Sequence, residues 1–258
     1  MLSDNRSKTT RDRLLEVAET LFAQKGYAAV SVREITNVAK CNLAAVNYHF
    51  GNKKTLYLNV FRERWMPRAQ RIRTCFEKNL SGYIETSPAA VIQSLAEALI
   101  TGPLTDEERL CHFQLTIREM TKPTEAFEIV MEENIKPSLG GLGELLQPYL
   151  QKSIDEERTL LNILSIFSMV LYFNFARLPV SKVIGHAYDQ PFKDRLVQHI
   201  VDFSLSGLPV GRTHCEIQDS VYRTLRHYAP CGMHEGGTRF QKTRHGFTGQ
   251  GIISAYFI

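Results

Sequence analysis

The sequence predicts an all-α protein. Apolar residues recur at helical spacing in nearly every segment between residues 9 and 208. No segment sustains the alternation of a half-buried strand, and capping residues, glycines and prolines punctuate the helical segments at ordinary helix lengths. The expected organisation is a small N-terminal three-helix unit containing a helix-turn-helix, residues 9–70, and a larger helical body, residues 71–209. At 258 residues with 43% hydrophobic content, there is ample material for a core in one large or two modest domains.

Thr9 and Asp12 have the spacing of a capping box and predict the first helix, with Leu14, Ala18, Leu21 and Phe22 on one face and Gly26 at its end. Tyr27 and Val30 read as contacts joining it to the helix-turn-helix. Ser31 and Glu34 have the same spacing and predict a second helix to about Ala39, with Val32, Ile35 and Val38 inward. Lys40 and Cys41 supply a turn. Asn42 is an N-cap for a third helix from Leu43 to about His49, Gly51 stops it, and Asn52 caps the next. Two helices joined by so short a turn are a helix-turn-helix, whose second helix enters the DNA major groove.

The residues of that second helix suit the role. Ala44 and Ala45 let the backbone approach base edges, Asn47 offers an amide that pairs bidentately with adenine, and Tyr48 and His49 reach base or phosphate. Lys53 and Lys54 open the next helix, where cations oppose the helix dipole unless a phosphate docks there. The candidate DNA-contacting set is Ser31, Arg33, Asn42, Leu43, Ala44, Ala45, Asn47, Tyr48, His49 and Lys53. A generic helical hairpin with exposed lysines is the alternative reading. Residues 1–8, polar and carrying Arg6 and Lys8, are expected to be a loose arm able to touch the DNA backbone.

The phrase NLAAVNYHFGNKKTLY, preceded by RLLEVAETLFAQKGYAAVSVREI, resembles the DNA-binding domain of TetR-family transcriptional regulators over about residues 9 to 70. The resemblance implies a dimeric, ligand-responsive regulator, most often a repressor. One departure is visible: the family usually has glycine where this chain has Lys40, and a left-handed lysine there costs on the order of 1 kcal/mol. The segments REMTKPTEAFEIVMEENIKPSLGGL, LYFNFARLPV and HIVDFSLSGL resemble the C-terminal domain of the CecR-like branch. LAAVNYHFGNKK also resembles fatty-acid-responsive TetR repressors. These likenesses imply a sensor body without fixing its ligand.

Charge supports the division. Residues 1–75 hold 14 Lys/Arg against 6 Asp/Glu, a balance of +8, whereas residues 76–210 hold 11 against 18, a balance of −7. A basic head on an acidic body fits a DNA reader attached to a module with another task. A helical protein-interaction module without sequence-specific DNA binding would explain the helices but not the basic head. An enzyme would need a nucleophile with a base, paired carboxylates, a phosphate loop or a metal motif. The pattern holds none, and His112 and Glu119, on neighbouring turns, read as surface or core-rim residues. No cofactor or metal is expected.

From Asn52 one long helix is predicted towards Asn79, apolar at Leu56, Val60 and Phe61 and then basic through Arg62, Arg64, Arg68, Arg71 and Arg73, with Pro67 kinking or dividing it. Further helices are expected after Ser87-Pro88, after Thr105-Asp106, and after Thr124, the last interrupted at Pro137. Others run through Leu142 to Leu150, over 160–178, and over Phe192–Leu205. The 160–178 helix is apolar nearly all round and, with 192–205, is the expected dimer surface. Asn162, Ser165, Ser168, Asn174 and Arg177 argue against a membrane span there.

The body is expected to enclose a pocket lined by residues such as Phe113, Leu115, Ile117, Phe127, Phe167 and Tyr172. Arg118 and Arg177 are candidates to hold an anionic head group of a mostly apolar effector. The polar N-terminus carries no secretory h-region, and five cysteines without disulfide or zinc spacing read as free thiols, so a cytoplasmic location is expected. Residues 210–258, rich in Gly, Thr, His and Arg, read as a disordered tail. His214, Cys215, His227, Cys231 and His234 follow no standard zinc spacing.

Overall fold

A computed structural model describes residues 9–151 and 155–208; the expectations for residues 1–8 and for the C-terminal segment, with its His and Cys residues, lie outside them. Every regular element among the described residues is helical. The N-terminal head comprises α1 (Thr10–Lys25), α2 (Val32–Val38), α3 (Ala44–Phe50) and α4 (Lys53–Val60). Helix α5 (Met66–Ser81) leads into the body of α6 (Pro88–Ile100), α7 (Asp106–Thr121), α8 (Ala126–Val130), α9 (Lys136–Leu146), α10 (Glu156–Phe175), α11 (Arg177–Ile184) and α12 (Gln190–Gly207).

Most caps read from the sequence form; Asn42 and Thr124 lie one residue before the N-cap positions of α3 and α8, which are Leu43 and Glu125, and the Ser31–Glu34 box is incomplete. Thr9 and Asp12 bond reciprocally, as do Thr105 and Glu108. Ser31 Oγ accepts from the Glu34 N–H at 3.1 Å, but the Glu34 carboxylate turns to Lys25 Nζ at 2.6 Å, leaving half a box. Val38, expected inward, is 55% exposed, and α2 instead buries Ile35, Thr36 and Ala39. Helix α11 was not legible in the sequence.

Neither Pro67 nor Pro137 divides its helix. Proline offers no N–H to the carbonyl four residues back, and its ring presses on that carbonyl. The chain answers by widening one turn. Phe61–Trp65 is a π turn, closed by the Met66 N–H on the Phe61 carbonyl, so α4 continues into α5. Met131–Ile135 is a second, closed by the Lys136 N–H on the Met131 carbonyl, so α8 continues into α9. Such bulges often mark functional helices. Here both widened helices border the same cavity.

The head and body share one apolar core. Leu14, Phe22, Ile35, Val46, Leu56, Phe61 and Trp65 pack into a cluster that continues through Leu115, Ile129, Val130 and Ile135. Polar ties reinforce the joint. Glu19, 2% exposed, takes Arg68 and also Arg64 at 3.0 Å, while Arg71 reaches Glu108 at 2.8 Å. Tyr57 donates to the buried Glu119 at 2.5 Å, which also accepts from the Thr124 N–H and hydroxyl. His112 and Glu119 are thus interior residues, 4% and 1% exposed, and not surface or core-rim ones. Inside the body, buried Arg109 donates to the carbonyls of Leu99, Gly102 and Leu104 and turns the chain from α6 to α7.

Helix α10 is long and apolar enough, by length and composition, to cross a bilayer. It packs instead against α6, α7, α9 and α12. Ile163, Ile166, Val170 and Asn174 are its buried residues. Leu160, Leu161, Tyr172 and Phe175 stay 44–54% exposed, and Phe203 on α12 is 63% exposed.

Candidate DNA-reading face and effector cavity

The outer face of the helix-turn-helix is set by what its inner face buries. Val46 and Phe50 anchor α3 in the head core at 0% and 4% exposure. By helical spacing, Asn47 and Tyr48 then point away, and Tyr48 is 85% exposed. Ser31, Arg33, Asn42, Leu43 and Ala44 are also exposed, while Ala45, His49 and Lys53 are half-buried. The helix begins at Ala44, one residue later than expected, and Asn42 Oδ1 accepts from the Ala44 N–H at 2.9 Å. Lys53 sits over the Tyr27 ring at 4.4 Å, and burial lowers its pKa. Lys54 is engaged by Glu125 of the body at 2.5 Å and so differs from Lys53.

The turn is a Schellman motif. Lys40 N–H bonds the Asn37 carbonyl at 3.2 Å and Cys41 N–H bonds the Thr36 carbonyl at 3.0 Å. Lys40 therefore occupies the left-handed position, with φ 52°, the one non-glycine positive φ among the described residues. Lys40→Gly should raise stability by about 0.5–1 kcal/mol. The left-handed penalty of roughly 1–2 kcal/mol is removed, and greater freedom of the unfolded glycine offsets part of the gain. A urea midpoint that stays or falls would contradict this.

Between the two widened helices, α6, α7 and α10 lies a cavity of about 670 Å³. Its size suits a small organic ligand. Trp65, Ala69, Ile72, Phe76 and Leu80 form one wall, a stripe at helical spacing that also contains Arg73. Phe113 and Phe167, expected at the pocket, line it. Four other expected lining residues do not. Leu115 belongs to the core shared with the head, Ile117 and Phe127 are half-buried outside the lining, and Tyr172 is 47% exposed with its ring against Phe173 and Phe175.

Both arginine candidates lie elsewhere. Arg118 donates from Nε to the Ala23 carbonyl at 2.7 Å and from a guanidinium nitrogen to the Gln24 carbonyl, capping the C-terminal end of α1. Arg177 pairs with Asp106 at 2.7 Å and lies over the Tyr188 ring. In each case a partner from another element captures the guanidinium. The cavity's polar residues include Arg73, His112, Thr116 and Asn134, with the exposed carboxylates Glu77 and Glu144 and, in addition, Ser81, Tyr83, Thr86 and Ser138. The apolar stripe from the chain's single tryptophan to Leu80 was the sequence signal that points to Arg73.

His112 stacks on Trp65, with ring centroids 4.7 Å apart and an angle of 9° between planes. Burial, aided by Arg68 and Arg109, depresses its pKa from 6.5 to about 3. An unfolded chain protonates this imidazole near pH 6.5 and the folded one only near 3. Stability is therefore present above the first value and falls as pH drops through that window. Between pH 7 and 5 the loss from this residue should be about 2 kcal/mol. His112→Phe, which keeps an aromatic ring against Trp65, should flatten that part of a urea-midpoint-versus-pH curve; an unchanged slope would contradict the assignment.

Comparison with known proteins finds relatives for both parts of the chain. Residues 14–60 match the family described as bacterial regulatory proteins, tetR family, and residues 88–208 match the C-terminal domain of HTH-type transcriptional dual regulator CecR. The chain is 24% identical to HTH-type transcriptional dual regulator CecR of Shigella flexneri over 216 residues, 79% of this chain and 94% of that protein. It is 32% identical over 93 residues to the probable acrEF/envCD operon repressor of Escherichia coli, 36% of this chain and 39% of that protein. Among solved structures, the TetR family transcriptional regulator PfmR from Thermus thermophilus superposes with a TM-score of 0.55 at 22% identity, covering 79% of this chain and all of that one. The fatty acid degradation regulator FadR from Bacillus halodurans gives 0.54 at 19% identity, covering 80% and 100%.

Proposed function

Because this chain is a TetR-family transcriptional regulator, with a TetR-type N-terminal domain and a CecR-type C-terminal domain, we propose that it binds an inverted-repeat operator as a cytoplasmic homodimer, represses transcription there, and is released by a small, mostly apolar effector. The observation that carries the reading is the exposed surface of α3 and the turn before it, where Asn42, Leu43, Ala44, Asn47 and Tyr48 stand free of the core. One seven-residue helix reads too few base pairs for useful specificity, so two copies related by a two-fold axis are needed. The half-exposed apolar side chains of α10 and Phe203 of α12 supply a surface for the second copy. The operon repressor among the relatives favours repression. The shared core and polar ties supply a mechanical path from cavity to reading head, so an effector that favours one arrangement of α5 and α7 also biases the head.

Selection of bound fragments from random DNA, with the mass of the complex measured in solution, tests the proposal. A two-fold symmetric consensus and two chains per site are expected. A monomer on an asymmetric site would overturn it, and no sequence preference at all would favour a helical protein-interaction module.

Asn47→Ala should cost roughly 1–3 kcal/mol per half-site on the operator and less on random DNA, since a base contact carries specificity. Lys53→Ala should weaken all sequences alike and lower the slope of log affinity against log salt by about one per lysine contact, hence about two per dimer. Both follow from titrations at several salt concentrations. The reverse assignment of effects would mean that α3 is docked differently.

A further inference from the structure

The cavity contains a cation that no carboxylate among the described residues neutralises. Arg73 is half-buried in the apolar stripe of α5 and donates a hydrogen bond to Asn134 Oδ1 at 3.3 Å. Its neighbours on the same helix are satisfied differently: Arg68 is taken by Glu19 and Arg71 by Glu108. His112 supplies an independent observation. It is 4% exposed and lines the same cavity, and its Nδ1 is buried without a hydrogen-bond partner.

A guanidinium partly withdrawn from water is costly unless an anion meets it. The surrounding wall, with Phe76, Phe113, Phe167 and Leu171, gains instead from hydrocarbon. A neutral apolar ligand would leave Arg73 uncompensated. A cationic one would have to rely on Glu77 and Glu144, which are exposed and already hydrated. An amphipathic anion satisfies both halves of the cavity.

We propose that the effector is an amphipathic monoanion whose carboxylate meets Arg73 beside Asn134 and whose hydrocarbon body fills the apolar cavity. This rests on the reading of the body as a sensor. The guanidinium fork matches a carboxylate bidentately, and His112 offers a second polar contact to a substituted chain.

Trp65, the chain's single tryptophan, lines the cavity and reports on binding directly. The full-length protein should be titrated with decanoate, decan-1-ol and decyltrimethylammonium below their micellar concentrations. Trp65 fluorescence gives affinity, and anisotropy of a labelled operator gives release. Decanoate should bind about ten- to a hundredfold more tightly than the alcohol, the gain from a hydrogen-bonded charge. Arg73→Gln should reduce that preference to about threefold or less, with an unchanged circular dichroism spectrum showing the variant folded; Arg73→Lys should retain most of the preference.

Equal affinities, tightest binding by the ammonium compound, binding by none of the three, or a preference unaffected by Arg73→Gln would overturn the proposal. If decanoate binds through Arg73 but leaves operator affinity unchanged, the ligand assignment stands and effector-controlled release fails. If only a ligand of another class releases the operator, regulation stands and the assignment fails.

Discussion

Glu19→Ala is expected to destabilise the protein by about 3–5 kcal/mol, the usual cost of removing one partner from a buried ion pair. The Glu19 side chain is 3% exposed and the Arg68 side chain 9%, with the Arg64 contact at 3.0 Å beside them. Without the carboxylate, Arg68 keeps only Glu108, at 3.6 Å from its Nε, and its charge stays out of water. The pair joins α1 to α5, so its loss is felt in the head and at the joint together. Removing both charges should reverse most of the damage: Glu19→Leu with Arg68→Met should recover all but about 1 kcal/mol, since a well-packed apolar pair can match a buried ionic one. Urea unfolding of the single and double variants measures both values. A single variant within about 1 kcal/mol of the parent would show that the pair is solvated.

Trp65→Ala should cost a comparable amount, about 3–5 kcal/mol, for a different reason. The ring is 1% exposed, stacks on His112, and donates from Nε1 to the His112 carbonyl at 3.2 Å and the Thr116 hydroxyl at 3.0 Å. Truncation removes the apolar burial, opens new space beside an existing cavity, and breaks the contact that ties the π turn to α7. Trp65→Phe keeps much of the volume and loses only the donor, so about 1–2 kcal/mol is expected. Circular dichroism follows both, because the fluorescent reporter is gone. Equal midpoints for the two variants would place the whole effect in the hydrogen bonds.

The fold class was legible because helix formation is largely a local matter. The apolar period, Thr9 with Asp12, Ser87 and Thr105 as caps, and the glycine ends all act within a few residues of one another. The exposed face of α3 was legible for the same reason. Val46 and Phe50 define the inside of α3, and their sequence spacing places Asn47 and Tyr48 outside. Even the strained turn could be anticipated from the family resemblance, since Lys40 stands where TetR-family members usually have glycine.

What tertiary structure decided was the fate of each charged side chain. In sequence, Arg73 is one member of a basic run, Arg118 and Arg177 are the cations that stand out among apolar residues, and nothing local tells which of the three meets a cavity. Each guanidinium reaches several ångströms from its helix, so its partner comes from whichever element is packed alongside. Arg118 meets the end of α1, 94–95 residues away, and Arg177 meets Asp106, 71 residues away, while Arg73 is left facing the cavity. Local pattern also could not show that Pro67 and Pro137 would be absorbed by π turns, because only the packing of both flanking segments holds such a helix in line. Short-range periodicity and capping determined which residues form the helices of the head and body and which face of α3 is exposed. Long-range packing determined which guanidinium meets another element and which one lines the cavity.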